Sequence, residues 1–116
     1  MAIGIPITYD DFARVDIRVG RIIEVADFER AHNPSYRLRI DFGPAIGIKQ
    51  SAAQFKQNYS PDQLTGAQCL AVVNFTPKNI AGFMSEVLVL GVPRADGNGI
   101  AIVRPADEGE IGGRLY

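Results

Sequence analysis

Tyr36-Arg37-Leu38-Arg39-Ile40-Asp41-Phe42 is the cleanest alternation of apolar and charged residues in the chain. Successive side chains of a strand point to opposite faces. Tyr36, Leu38, Ile40 and Phe42 therefore form an inward row, and Arg37, Arg39 and Asp41 an outward one. Asn33-Pro34-Ser35 before it and Gly43-Pro44 after it are turn residues that bound the strand. Upstream, Val15, Ile17, Val19, Ile23 and Val25 are apolar at spacing two over much of their length and predict a long strand. Gly20 inside it suggests a bulge or a barrel bend. Thr8 to Asp11 has the spacing of a capping box and predicts a brief helix through Phe12 and Ala13. Downstream, Ile46 and Ile48, with Gly47 and Lys49, continue the alternation. Ser51 to Tyr59 is expected to form a short helix, and Pro61 to Leu64 a further helical turn. Cys69 to Asn74, Ser85 to Gly91 and Ile100 to Arg104 complete the strands, with Ala95-Asp96-Gly97-Asn98-Gly99 as a hairpin-like turn.

Five or six strands with a helix between the third and fourth predict an all-β chain, a small closed OB-fold barrel with short helices. Leu38, Ile40, Ile46, Ile48, Val72 and Leu88 are its expected core. Arg37, Arg39 and Lys49 would then stand together on the outer face of the second and third strands. Beside that face runs the loop from Phe75 to Met84, built from Pro77, Lys78, Asn79 and Gly82, with Asn74 before it and Ser85 and Glu86 beyond. Polar tips and a cation on a loop held between two apolar strands make a binding edge on a rigid scaffold.

The 116 residues suffice for one domain with one core, 1–116, and 47% apolar with 22% charged residues is ordinary for a soluble globular chain. The net charge of −1 hides an asymmetry. From Arg30 to Arg94 there are seven basic and three acidic residues, net +4, against five and ten in the two ends, net −5. A neutral total can thus conceal a basic face that an anionic partner would meet; the alternative is that these charges are scattered over a solvated surface. Cys69 is the single cysteine, lies in the apolar run CLAVV and reads as a buried hydrophobe. His32 is the single histidine and sits in a polar turn, so clusters of several His ligands are excluded. Neither a strained nucleophile turn nor a glycine-rich phosphate loop occurs. The chain reads as a non-enzyme without metal or other cofactor. No basic start with a long apolar run appears at Met1, and no apolar run approaches the roughly 20 residues of a membrane span. A cytoplasmic protein without membrane insertion is expected.

The order Asp16-Ile17-Arg18-Val19-Gly20, Leu38 to Gly43, Lys49-Gln50-Ser51, Asn74-Phe75-Thr76-Pro77, Ile80-Ala81-Gly82 and Ser85 to Gly91 resembles the tRNA-binding domain family. Within it, IGIKQS and NFTPKNIAGFMSEVLVLG look most like the export-related chaperone branch. The resemblance covers Asp11 to about Arg104 and implies an OB-fold homodimer. It implies either capture of unfolded or preprotein peptide segments or binding of tRNA. Where the wider family tends to carry Ser-x-Gly-Met-x-Leu, this chain has Ser85-Glu86-Val87-Leu88-Val89-Leu90. Glu86 thus puts an anion beside the expected RNA site, which favours the chaperone branch. For peptides, the expected groove surrounds Phe75, Phe83, Met84 and Glu86. For RNA, Arg37, Arg39, Lys49 and Lys78 would hold the backbone, Asn74 and Ser85 would bond sugar or base, and Phe75 would stack. Gln50 and Ser51 complete the candidate set. The two ends, 1–13 and 105–116, are expected to be dimerisation arms, since Ile3, Ile5 and Ile7 form an apolar edge and Pro6 bars a central strand.

Overall fold

The computed structural model describes residues 2–116; Met1, at the tip of the expected N-terminal arm, lies outside them. Helix α1 (Tyr9–Ala13) opens on the expected capping box: the Thr8 hydroxyl accepts from the Asp11 N–H and the Asp11 carboxylate accepts from the Thr8 N–H. Strands β1 (Ile17–Asp27), β2 (Tyr36–Asp41) and β3 (Ile48–Ala53) follow as an antiparallel meander. Helix α2 (Pro61–Leu64) comes next, capped by Ser60 with Pro61 at its start. Strand β4 (Gln68–Val72), a hairpin of β5 (Lys78–Ile80) and β6 (Phe83–Ser85), β7 (Leu88–Val89), and a hairpin of β8 (Gly91–Pro93) and β9 (Ile100–Ile102) complete the chain. The principal sheet has the order β3-β2-β1-β4-β7 and curls until β7 approaches β3, a nearly closed barrel of the small OB type.

Alternation in β2 is realised in full: Tyr36, Leu38, Ile40 and Phe42 are buried while Arg37 and Arg39 are exposed. With Ile22, Phe55, Leu64, Cys69 and Val89 they fill the interior. Fully burying such a side chain contributes about 1.5–3 kcal/mol. A second cluster (Ile17, Val19, Leu70 and Val72, with Leu90, Val103 and Ile111) lies on the other side of β1 and β4. Burial on both faces is why QCLAV in β4 is a continuous buried run with no alternation.

Four expectations are corrected by this architecture. Val72 is buried, but in the second cluster, while Ile48 and Leu88 are 48% exposed because register turns them outward. The bulge in β1 falls between Ile22 and Glu24, not at Gly20; it puts Ile22 in the core and leaves Ile23 40% exposed. Gly20 is instead a close approach. A Cβ there would lie 2.5 Å from Ile40 Cγ2 and 2.7 Å from Phe42 Cε1. Ser51 to Tyr59 is not a helix. β3 runs to Ala53, and a turn follows in which Asn58 and Tyr59 donate to the Phe55 carbonyl.

Candidate binding surface

The hairpin β5–β6 stands against the outer face of β2 and β3 and divides it. Its two-residue turn, Ala81-Gly82, has φ of 49° and 86°, the left-handed pair that matches the strand twist, and the Asn79 carboxamide accepts from the Gly82 N–H at 2.8 Å. Register places Lys78, Ile80, Phe83 and Ser85 on one face of the hairpin and Asn79 with Met84 on the other. Met84 is 43% exposed on that other face, apart from the clefts beside the hairpin.

On one side lies a charged cleft of about 530 Å³, lined by Asp27, Phe28, Glu29, Arg30, Arg37 and Ala81–Phe83; with Asp27 neutralised by Lys56, Arg30 and Arg37 outweigh Glu29 by one positive charge. Phe28 is buried and meets Phe83 edge-on at 5.4 Å. The Arg37 guanidinium sits 5.9 Å from the Phe28 ring centroid, and Arg37 Nε donates to the Asp27 carbonyl at 3.3 Å. Lys56 pairs with Asp27 and holds its carboxyl below the usual carboxylate range, while the Lys56 ammonium is raised in return. Among the described residues, Arg30 and Arg37 have no carboxylate within 4.0 Å, whereas Arg39 pairs with Glu24 at 3.3 Å. Arg39, Gln50 and Phe83 line a smaller cleft that also includes Arg37. Phe28 and Arg30 were not legible as candidates. Arg30 counted only as one charge in a basic stretch, and nothing local shows that the loop after β1 folds against a hairpin fifty residues later.

On the other side the surface is apolar. A groove of about 430 Å³ runs past Ala52, Gln54, Phe75, Ile80 and Leu88, with Lys78 and Glu86 at its rim. Phe75 is 55% exposed. The groove continues, through Ala52, Gln54 and Leu88, into a slit of about 340 Å³ lined also by Phe55, Val89 and Ile100.

Between the two sides the barrel is sewn shut by side chains. The Glu86 N–H donates to the Gln50 carbonyl and the Glu86 carboxylate accepts from the Gln50 N–H. Gln50 Nε2 donates to the Met84 carbonyl at 2.8 Å, the Ser51 hydroxyl to the Val87 carbonyl at 2.9 Å, and the Ala52 N–H to the Ser85 hydroxyl at 3.1 Å. Gln50, Ser51, Ser85 and Glu86 therefore form a closure seam. Asn74 is an anchor: its side chain accepts from the Asp16 N–H at 3.0 Å and donates to the Arg14 carbonyl at 2.7 Å. Lys49 does not stand with Arg37 and Arg39. It pairs across with Ile40, and Gln50 is the residue opposite Arg39. Phe75 and Lys78 lie on the apolar side, Phe83 on the cationic side, so the single groove expected from sequence is two.

No group of three or more His, Cys, Asp or Glu among the described residues is placed to hold a metal ion, and no helix among them is long and apolar enough to cross a membrane. Residues 17–114 match the family model described as "Putative tRNA binding domain". The chain belongs to the tRNA-binding domain family. Among family structures it is similar to the CsaA chaperone protein from Picrophilus torridus, at 50% identity and a TM-score of 0.89 over 96% of this chain and 100% of that one. It is also similar to chaperone CsaA from Bacillus anthracis str. Ames, at 42% identity and a TM-score of 0.87 over 97% and 100% of the two chains. The methionine–tRNA ligase of Thermococcus kodakarensis is 33% identical over 109 residues. Those residues are 94% of this chain and 14% of the ligase, so the chain spans a small part of the curated relatives it matches.

Proposed function

We propose that this tRNA-binding-family domain is a non-catalytic, chaperone-type module that holds extended, unfolded protein segments, preprotein segments among them, in the apolar groove. The observation that carries this is the pair of half-exposed residues Phe75 and Leu88 around one groove with Ala52 and Ile80. Large apolar side chains left in water at a concave site mark a binding surface. Glu86 at the rim is already engaged by the Gln50 N–H. The similarity to two CsaA chaperones over their whole length supports the same reading. On this reading the protein acts in the cytoplasm, where export-bound segments are still unfolded. Titration with a reduced, carboxymethylated client protein tests it. Phe75→Ser and Leu88→Ser should each weaken binding about tenfold with little salt dependence; unchanged affinity in both variants would sink the idea.

A second reading, tRNA binding, is favoured by the unpaired Arg30 and Arg37 on the cationic side, beside the rings of Phe28 and Phe83. Both readings fit a homodimer. Ile3, Ile5 and Ile7 are 98%, 91% and 69% exposed, and a pocket of about 330 Å³ formed by Tyr9, Phe12, Val15, Leu115 and Tyr116 lies at the root of that arm. A second copy would cover both. Sedimentation equilibrium should give a dimer at micromolar concentration, and removal of the first seven residues should shift it towards monomer.

A further inference from the structure

We propose that the slit between the end of β3 and β7 is a strand-pairing site, which takes the main chain of an extended, uncharged peptide with apolar residues at alternate positions. This rests on the groove reading above and states how the groove recognises its client. The register of the two walls carries it. The Leu90 N–H donates to the Leu70 carbonyl at 2.9 Å, while the Leu90 carbonyl accepts from the Val103 N–H at 3.0 Å; with Val72 opposite Leu88, this register points the backbone groups of Leu88 to β4 and those of Val87 and Val89 across the slit. On β3, the Phe42 N–H donates to the Gly47 carbonyl. The same register turns Lys49, Ser51 and Ala53 to β2, and Gln50 and Ala52 to the seam.

At Gln50, Ser51 and Ala52 the seam is filled by Glu86, Val87 and Ser85. Beyond that point it opens. The β4–β7 register turns the N–H and C=O of Val89 away from β4, and among the described residues no side chain or loop bonds them, nor the main chain of Gln54, which is exposed on the facing wall. Val89 is only 7% exposed, and buried backbone groups are almost always paired. An unpaired donor and acceptor on the wall of an apolar slit are what an added strand satisfies; a helix has no main-chain groups to offer. Phe55, Leu88 and Ile100 supply the apolar contact for every second side chain. No charged residue lines the slit, so a charged side chain entering it would be left without a partner.

The test uses a capped peptide, acetyl-Thr-Val-Thr-Leu-Thr-Val-Thr-amide, with amide hydrogen exchange of the intact protein followed by NMR. At saturating peptide, exchange at Val89 and Gln54 should slow at least tenfold. N-methylation of alternate peptide amides should weaken binding tenfold or more in one phase of the alternation and much less in the other. Binding with unchanged exchange at both positions and equal response to the two methylation patterns would overturn strand pairing and leave side-chain docking in the groove. Absence of binding by this peptide, with the unfolded client protein still bound through Phe75 and Leu88, would overturn strand pairing while the proposed function stands.

Discussion

Glu86 and Gln50 hold each other twice. The Glu86 N–H donates to the Gln50 carbonyl at 2.9 Å, and the Glu86 carboxylate accepts from the Gln50 N–H at 3.0 Å. An anion that looks, in the sequence, like an obstacle to RNA is the clasp that joins the last part of the barrel to β3. Glu86→Ala leaves the Gln50 N–H without an acceptor and should cost about 1–2 kcal/mol, whereas Glu86→Gln retains one and should cost less than about 1 kcal/mol. Urea unfolding of the two variants checks the difference.

Gly20→Ala should destabilise by about 1–3 kcal/mol through overpacking. The added methyl meets Ile40 and Phe42, which are 0% and 1% exposed and have nowhere to move. Thermal unfolding followed by circular dichroism measures the loss, and an unchanged midpoint would contradict the packing described.

Ala81 is the one non-glycine residue with positive φ among those described. A left-handed alanine is strained by roughly 1–2 kcal/mol, part of which glycine returns as chain entropy. Ala81→Gly should therefore stabilise by about 0.5–1 kcal/mol, while Ala81→Val should destabilise. Denaturant midpoints of both variants decide the sign.

For tRNA, log affinity should fall with log salt, because each phosphate contact releases condensed counterions. Arg30→Ala and Arg37→Ala should each make the slope shallower by about one unit. Arg39→Ala should change it less, since Glu24 already neutralises that guanidinium. Equal effects from all three would show that the ion pair does not matter to binding.

Burial pushes the Cys69 thiol up to about 12 from an ordinary 9.0. An acid raised in the folded state is protonated there while the unfolded chain ionises. Its contribution to stability is therefore constant below about pH 9 and falls as pH rises from there towards 12. Cys69→Ala should lose stability less steeply than the parent between pH 9 and 10.5, as read by urea midpoints. Native protein should resist iodoacetamide at pH 8 and react once unfolded.

The sequence by itself determined what depends on local periodicity. Alternation from Tyr36 to Phe42 set β2 and its inward row, Thr8 with Asp11 set α1, and Pro61 to Leu64 set α2, because strand faces and caps depend on residues a few positions apart. Only the tertiary structure decided the rest. A bulge at Ile23 reverses which side chains of β1 face inward, and no local signal marks it. Double burial of β1 and β4 erases the alternation that would have assigned Val72. Glu86 meets Gln50 across 36 positions, and Phe28 and Arg30 meet Phe83 and Gly82 across more than fifty. Such contacts follow from how the sheet curls and how the hairpin leans on it, so the division of one expected groove into a cationic and an apolar side exists only in the folded chain.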